Sequence, residues 1–114
     1  MKLKMMRIIE DNRNGKGLRA EDMEMDDVNY ITVERLSKLN HPIPVFHTSY
    51  AKFIAPTTLQ EAAEAYVDDG IKYADNSTLI SEQRVKKREK TRTGLLITFV
   101  DDTTVEVAKR SRKR

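Results

Sequence analysis

The residues best suited to binding chemistry stand late in the chain: Asp75-Asn76-Ser77, the basic run from Arg84 to Arg92, and the ending Lys109-Arg110-Ser111-Arg112-Lys113-Arg114. Ammonium and guanidinium groups neutralise phosphates and release condensed counterions, so Arg84, Lys86, Lys87, Arg88, Lys109, Arg112 and Lys113 are the candidate phosphate contacts. The formal net charge of +3 understates this end of the chain. Glu10 to Asp27 carries seven acidic residues, whereas Lys109 to Arg114 carries five basic ones and no acidic one. The same charge suits an acidic protein or anionic lipid, and blander readings stand beside it. These are a solubilising tail for 109–114, a solvated loop or short exposed helix for Arg84 to Arg92, and a turn or cap role for Asn76.

Other chemistries find less in these residues. His41 and His47 lie on either side of Pro44, and the chain has no cysteine, so no familiar zinc spacing forms and disulfides are excluded. Asp68-Asp69 and Asp101-Asp102 supply too few oxygen ligands at an ion-binding spacing. Ser77 and Ser81 lack a visible His-acid pair, and Gly15-Lys16-Gly17 is too short for a phosphate-binding loop. The expectation is a protein without catalytic residues, metal or cofactor.

The elements that must position the basic groups are mostly strands. Lys2 to Ile9 reads as a first strand, although Met5-Met6 and Ile8-Ile9 blur the period of two, and Asn12 to Gly17 reads as a turn. Leu18 to Met25 follows as a second strand. Val28 to Val33 is a third, with Val28, Tyr30 and Thr32 on one face and Asn29, Ile31 and Val33 on the other. Pro42 and Pro44 argue against a central strand over Asn40 to Pro44 and put His41 on a loop or irregular edge. Val45 to Thr48 and Tyr50 to Ile54 can form a tight hairpin. Thr57 to Asp69 carries the one strong helix signal, a capping box followed by Leu59, Ala62, Ala63, Tyr66 and Val67 on one apolar face, with Gly70 as its stop. Its outer face is acidic, which argues against insertion into a DNA groove. Leu79-Ile80 is a short apolar island, and Thr93 to Val100 with Thr103 to Ala108 forms the clearest hairpin, turning at Asp101-Asp102.

At 114 residues the chain has room for one domain, 1–114, with a basic tail at about 109–114. No run of 18 apolar residues and no secretory signal is present, so a soluble, cytoplasmic protein without a membrane partner is expected.

The order of these segments resembles the LytTR family of DNA-binding domains. The resemblance runs from Asp27-Val28-Asn29-Tyr30-Ile31-Thr32-Val33-Glu34 through Val45-Phe46-His47-Thr48, the helix start Thr58-Leu59, and Gly70 to Ser77, to Leu95 to Arg112. The family's later asparagine is replaced by Ser81 or Glu82, and its final basic segment becomes Val107-Ala108-Lys109-Arg110. The resemblance implies a mainly β fold, a β-β-β arrangement of antiparallel sheets with one short packed helix, that reads DNA through loops and strand ends. It places base contacts on His41, Asn76 and Arg110. Arginine matches guanine O6 and N7, and asparagine matches adenine N6 and N7. The implied function is sequence-specific binding of double-stranded DNA and regulation of transcription at promoter repeats, where two copies of the chain could pair. The alternatives are a small protein-interaction module, of phage or mobile-element origin, and a nonspecific nucleic-acid binder.

Overall fold

The computed structural model describes residues 1–11, 15–36 and 41–108. The chain starts with a long hairpin, β1 (Lys2–Asp11) and β2 (Gly15–Glu24), then passes through a 3-10 turn to β3 (Val28–Glu34). A second hairpin, β4 (Ile43–Thr48) and β5 (Lys52–Ile54), leads to the helix α1 (Leu59–Ala65). A third hairpin follows, β6 (Ile71–Asp75) and β7 (Thr78–Ser81), and then the meander β8 (Val85–Lys90), β9 (Gly94–Phe99) and β10 (Thr104–Ala108). The first seven strands form one sheet in the order β2-β1-β5-β4-β3-β7-β6, and the last three form a second, β10-β9-β8. Every paired strand is antiparallel.

The helix starts where its capping box dictates. The Glu61 amide donates to Thr58 Oγ1 at 3.1 Å and the Thr58 amide donates back to Glu61 Oε1 at 3.0 Å, which satisfies two N–H groups the first turn leaves open. It stops earlier than the apolar spacing implies. The chain tightens into a 3-10 turn, Val67–Asp69, and Gly70 ends it in the left-handed region at φ 85°. Val67 is therefore turned outward and 60% exposed, not on the apolar face. Leu59, Ala62, Ala63 and Tyr66 do pack on the sheet, against Val28, Ile31, Phe46, Phe53, Ile71 and Leu79.

Three features of the large sheet depart from a plain period of two. Met5 faces the helix side while Met6 and Ile8 pack with Ile43, Val45 and Ile54 on the other, so the doubled apolar pairs mark a strand covered on both faces. β1 meets β5 only at Met6 and Arg7, yet Leu3, Met5 and Met23 reach the cluster around α1, so the hairpin curls over that core. In β3 a bulge between Val28 and Tyr30 inserts one residue, which puts Val28 and Ile31 on the helix side and Tyr30 on the opposite one. The alternation read from the sequence does not hold there. Pro44, finally, lies within β4 opposite Val33, contrary to expectation. β5 pairs only with Val45 to His47, so at Pro44 the strand has a neighbour on one side alone and the missing N–H leaves that outer ladder intact.

The small sheet packs against the face of the large one that carries Tyr30, Ala74 and Ile80, through Ile97, Phe99 and Val107. The basic run is neither a loop nor a helix. After a 3-10 turn, Glu82–Arg84, it forms the edge strand β8, paired to β9 from Val85 to Lys90. Its polar residues suit an edge, because exposed lysines discourage pairing with other chains. Among the described residues no helix is long and apolar enough to cross a membrane.

The two sheets are joined by a buried polar network as well as by apolar contact. Asn29, at the bulge and 1% exposed, donates from Nδ2 to Asp101 Oδ2 at 2.8 Å and to Thr103 Oγ1 at 2.9 Å, and accepts at Oδ1 from Arg84 Nε at 2.7 Å. Arg84 also donates to the Asp26 carbonyl at 3.1 Å, and the Thr103 amide and hydroxyl donate to Asp101 Oδ1. Every polar atom of the Asn29 amide thus has a partner, as a buried side chain requires.

Candidate nucleic-acid interface

One end of the molecule collects turns and strand ends that lie far apart in the chain. β7 begins at Thr78 opposite Thr32, so the turn at Asn76 and Ser77 stands beside the last residues of β3. β4 begins at Ile43 opposite Glu34, which places His41 just beyond the same end. β4 and β7 flank β3, so these two sites are separated by about two strand spacings, roughly 10 Å, across the sheet. From the small sheet, Ala108 pairs with Gly94, so the end of β10 lies beside the β8–β9 turn.

Asp75 ties the two sheets together at this end. Its Oδ1 accepts the Ser77 amide at 2.9 Å, fixing the turn that presents Asn76, and its Oδ2 accepts the Ala108 amide at 2.8 Å. Partial burial pushes its carboxyl up, but the hydrogen bonds from Ala108 and Ser77 outweigh that and hold it below the usual carboxylate range. Glu106 does the same for the β8–β9 turn: its Oε2 accepts Thr91 Oγ1 at 2.7 Å and Thr93 Oγ1 at 3.1 Å. Asn76 and His41 are exposed. His41 donates from Nδ1 to the Pro42 carbonyl at 3.1 Å, which leaves Nε2 as its outward nitrogen.

The sequence-derived phosphate contacts do not gather as one set. Arg84 is half-buried in the network of Asn29, with Asp101 Oδ2 3.8 Å from Nη2, so its guanidinium is committed inward. Lys86 pairs with Asp102 at 2.8 Å, Lys87 with Glu89 at 3.4 Å, and Arg88 with Glu82. These three pairs are exposed and neutralise much of the strand's charge locally. Lys109, Arg110, Arg112 and Lys113 lie outside the described residues. Two cations of the basic run that were not among the candidate phosphate contacts are better placed: Lys90, the last residue of β8, and Arg92, within the β8–β9 turn, are exposed and have no ion-pair partner among the described residues. Their signal was in the pattern, since Thr93-Gly94 opens a hairpin and the residues before a hairpin turn are presented at its tip.

A second polar cluster lies within the large sheet. His47 Nε2 is 3.0 Å from Glu34 Oε2 and 2.9 Å from Thr32 Oγ1, and Thr32 Oγ1 donates to Glu34 Oε2 at 2.9 Å. Its ring stacks on Tyr30 at 4.2 Å, and Tyr30 stacks on Phe99 at 5.6 Å, so aromatic contact runs from β4 into the small sheet. Burial lowers the His47 pKa, Glu34 opposes that and Lys52 adds to it, for a net value below the usual histidine range. Hydroxyl and carboxylate meet the same ring nitrogen here, whereas a nucleophile-base-acid relay needs them on opposite ones. The arrangement orients the ring. Among the described residues no three histidine or carboxylate side chains gather in a metal-binding cluster. Compared with known proteins, the chain matches no family model and no curated protein.

Proposed function

We propose that the protein binds double-stranded DNA sequence-specifically and acts as a transcriptional regulator at promoter repeats, with the end that carries Asn76 facing the duplex. The observation that carries this reading is the junction at Asp75. One carboxylate joins the Asn76 turn to the end of β10, beside the β8–β9 turn with Lys90 at its start and Arg92 within it, and the chain then passes directly into the five basic residues of 109–114. A polar tip with base-matching geometry is thereby set among cations that suit phosphate, which is the division of labour DNA readers use. The ordered resemblance to LytTR domains and a LytTR-like arrangement of the sheets belong to the same proposal. In it Asn76, His41 and Arg110 contact bases. Lys90, Arg92, Lys109, Arg112 and Lys113 contact phosphates, and Arg84 holds the frame.

DNA selection from a random library with the purified protein tests the reading. Recovery of a motif is expected, and Asn76→Ala and Arg110→Ala should each lower the ratio of specific to scrambled affinity by about 1 to 3 kcal/mol, the worth of one bidentate pair with a base. If no motif emerges, or if both variants leave that ratio unchanged, the base-reading assignment is wrong. A protein-interaction module is the second reading, favoured by the polyanion-seeking tail alone; recovery of no motif together with tight binding to one acidic protein would select it.

A further inference from the structure

A cleft of about 220 Å³ lies between β6–β7 of the large sheet and β8–β9 of the small one. Its floor is apolar: Ala74 and Ile80 come from the large sheet, Leu95 and Ile97 from the small one. Its rim is charged. Glu82 accepts from Arg88 Nη2 and has Lys72 Nζ at 3.7 Å, so two cations share one carboxylate and the rim keeps a net positive charge. Arg88 uses one N–H on Glu82, and an arginine has five. Among the described residues Lys72 makes only that one long contact. Glu82 is held ionised, chiefly by the Arg88 hydrogen bond, so it does not supply a proton to the site.

We propose that this cleft binds a small organic carboxylate with a short apolar or aromatic body. The body would lie on the half-buried Ala74 and Leu95, above the already buried Ile80 and Ile97, and the carboxylate would take the unused donors of Arg88 and Lys72. Volume and charge together select this class. The cleft is below the ~300 to 1,000 Å³ of sites for drug-sized ligands and has no room for a helix or a folded partner. A bare inorganic anion would leave the floor wet, and a neutral apolar molecule would leave the cationic donors unanswered. Because the ligand would touch both sheets, it would stiffen the small sheet against the large one.

Titration of the isotope-labelled protein with phenylacetate, followed by amide chemical shifts in the absence of DNA, tests the site apart from the DNA reading. Saturable shifts are expected at residues 72–74, 80, 82, 88, 95 and 97. Benzyl alcohol should bind about tenfold more weakly, and Arg88→Gln should weaken phenylacetate about tenfold or more. Lys72→Gln is the second variant, since Lys72 is exposed and its loss does not threaten the fold; a weaker but measurable loss is expected there. Shifts that do not saturate or that scatter over the surface would overturn the proposal. So would equal affinity for benzyl alcohol, the same shifts with inorganic phosphate, or unchanged binding in both variants.

Discussion

The two ends of this molecule handle polar groups in opposite ways. At the end built around Asn29, the charged and amide groups of β3, the Glu82–Arg84 turn and the β9–β10 turn face one another, and Arg84 and Asp101 are less than a quarter exposed. At the end built around Asp75, a single carboxylate fixes the turns while Asn76, Lys90 and Arg92 point to solvent. The comparison teaches that charge in the sequence is a poor guide to which cations are available. Arg84 and Arg92 bracket the same basic run, yet one is a structural fastener and the other is open to a ligand.

The largest expected effect is at the first end. Asn29→Ala removes three side-chain hydrogen bonds and leaves Arg84 and Asp101 short of partners, so unfolding stability should fall by about 2 to 4 kcal/mol in urea titrations. A loss below about 1 kcal/mol would mean that water already serves the network and that the two ends differ little in how they hold polar groups. Acid should act next. His47, Asp75 and Asp101 all have pKa values lowered in the fold. For the histidine, the unfolded chain binds the proton more readily, so stability is complete above the ordinary value of about 6.5 and declines as pH falls through it. For the two carboxylates, stability is present above about 4 and lost below. Thermal unfolding at stepped pH should therefore show two successive losses, and His47→Gln should abolish the upper one.

The smallest effects on stability belong to the second end. Asn76→Ala and Arg92→Gln should each change unfolding free energy by no more than about 0.5 kcal/mol, because both side chains are exposed. If the protein binds DNA as proposed, Arg92→Gln should instead lower the salt dependence of that binding by about 0.9 in the logarithmic slope. A variant that destabilises the fold at Asn76 would place the polar tip in the structure and not at the ligand.

What could be read from the sequence was whatever local chemistry decides. The capping box at Thr58 and Glu61, the Gly70 stop, and the β9–β10 hairpin with its alternation at Leu95, Ile97 and Phe99 all depend on neighbours within a few residues. A mainly β fold of antiparallel strands with one short helix follows from the same signals. The misreadings share a different cause. The bulge at Asn29 exists because Asp101, Thr103 and Arg84 reward a side chain turned out of register, and those residues are 55 to 74 positions away. Pro44 is admitted to a strand because β5 is too short to reach it. Val85 to Lys90 has little apolar content of its own and becomes a strand because β9 offers a ladder. Of the candidate site, Asn76 and His41 were legible as exposed turn and loop residues, while the inward commitment of Arg84 and the openness of Lys90 and Arg92 were set by partners distant in sequence.

The bond from Asn29 to Thr103 also bears on how the molecule reaches its fold. A contact spanning so much chain carries a large loop-closure entropy, so it gains little until the intervening strands are already ordered. It is therefore expected to form late on the folding path, which φ-value measurement at Asn29 would check. Interactions absent from the transition state govern how fast a protein comes apart more than how fast it assembles. The Asn29 network should accordingly act as a latch, setting the lifetime of the docked sheets while leaving the refolding rate nearly untouched.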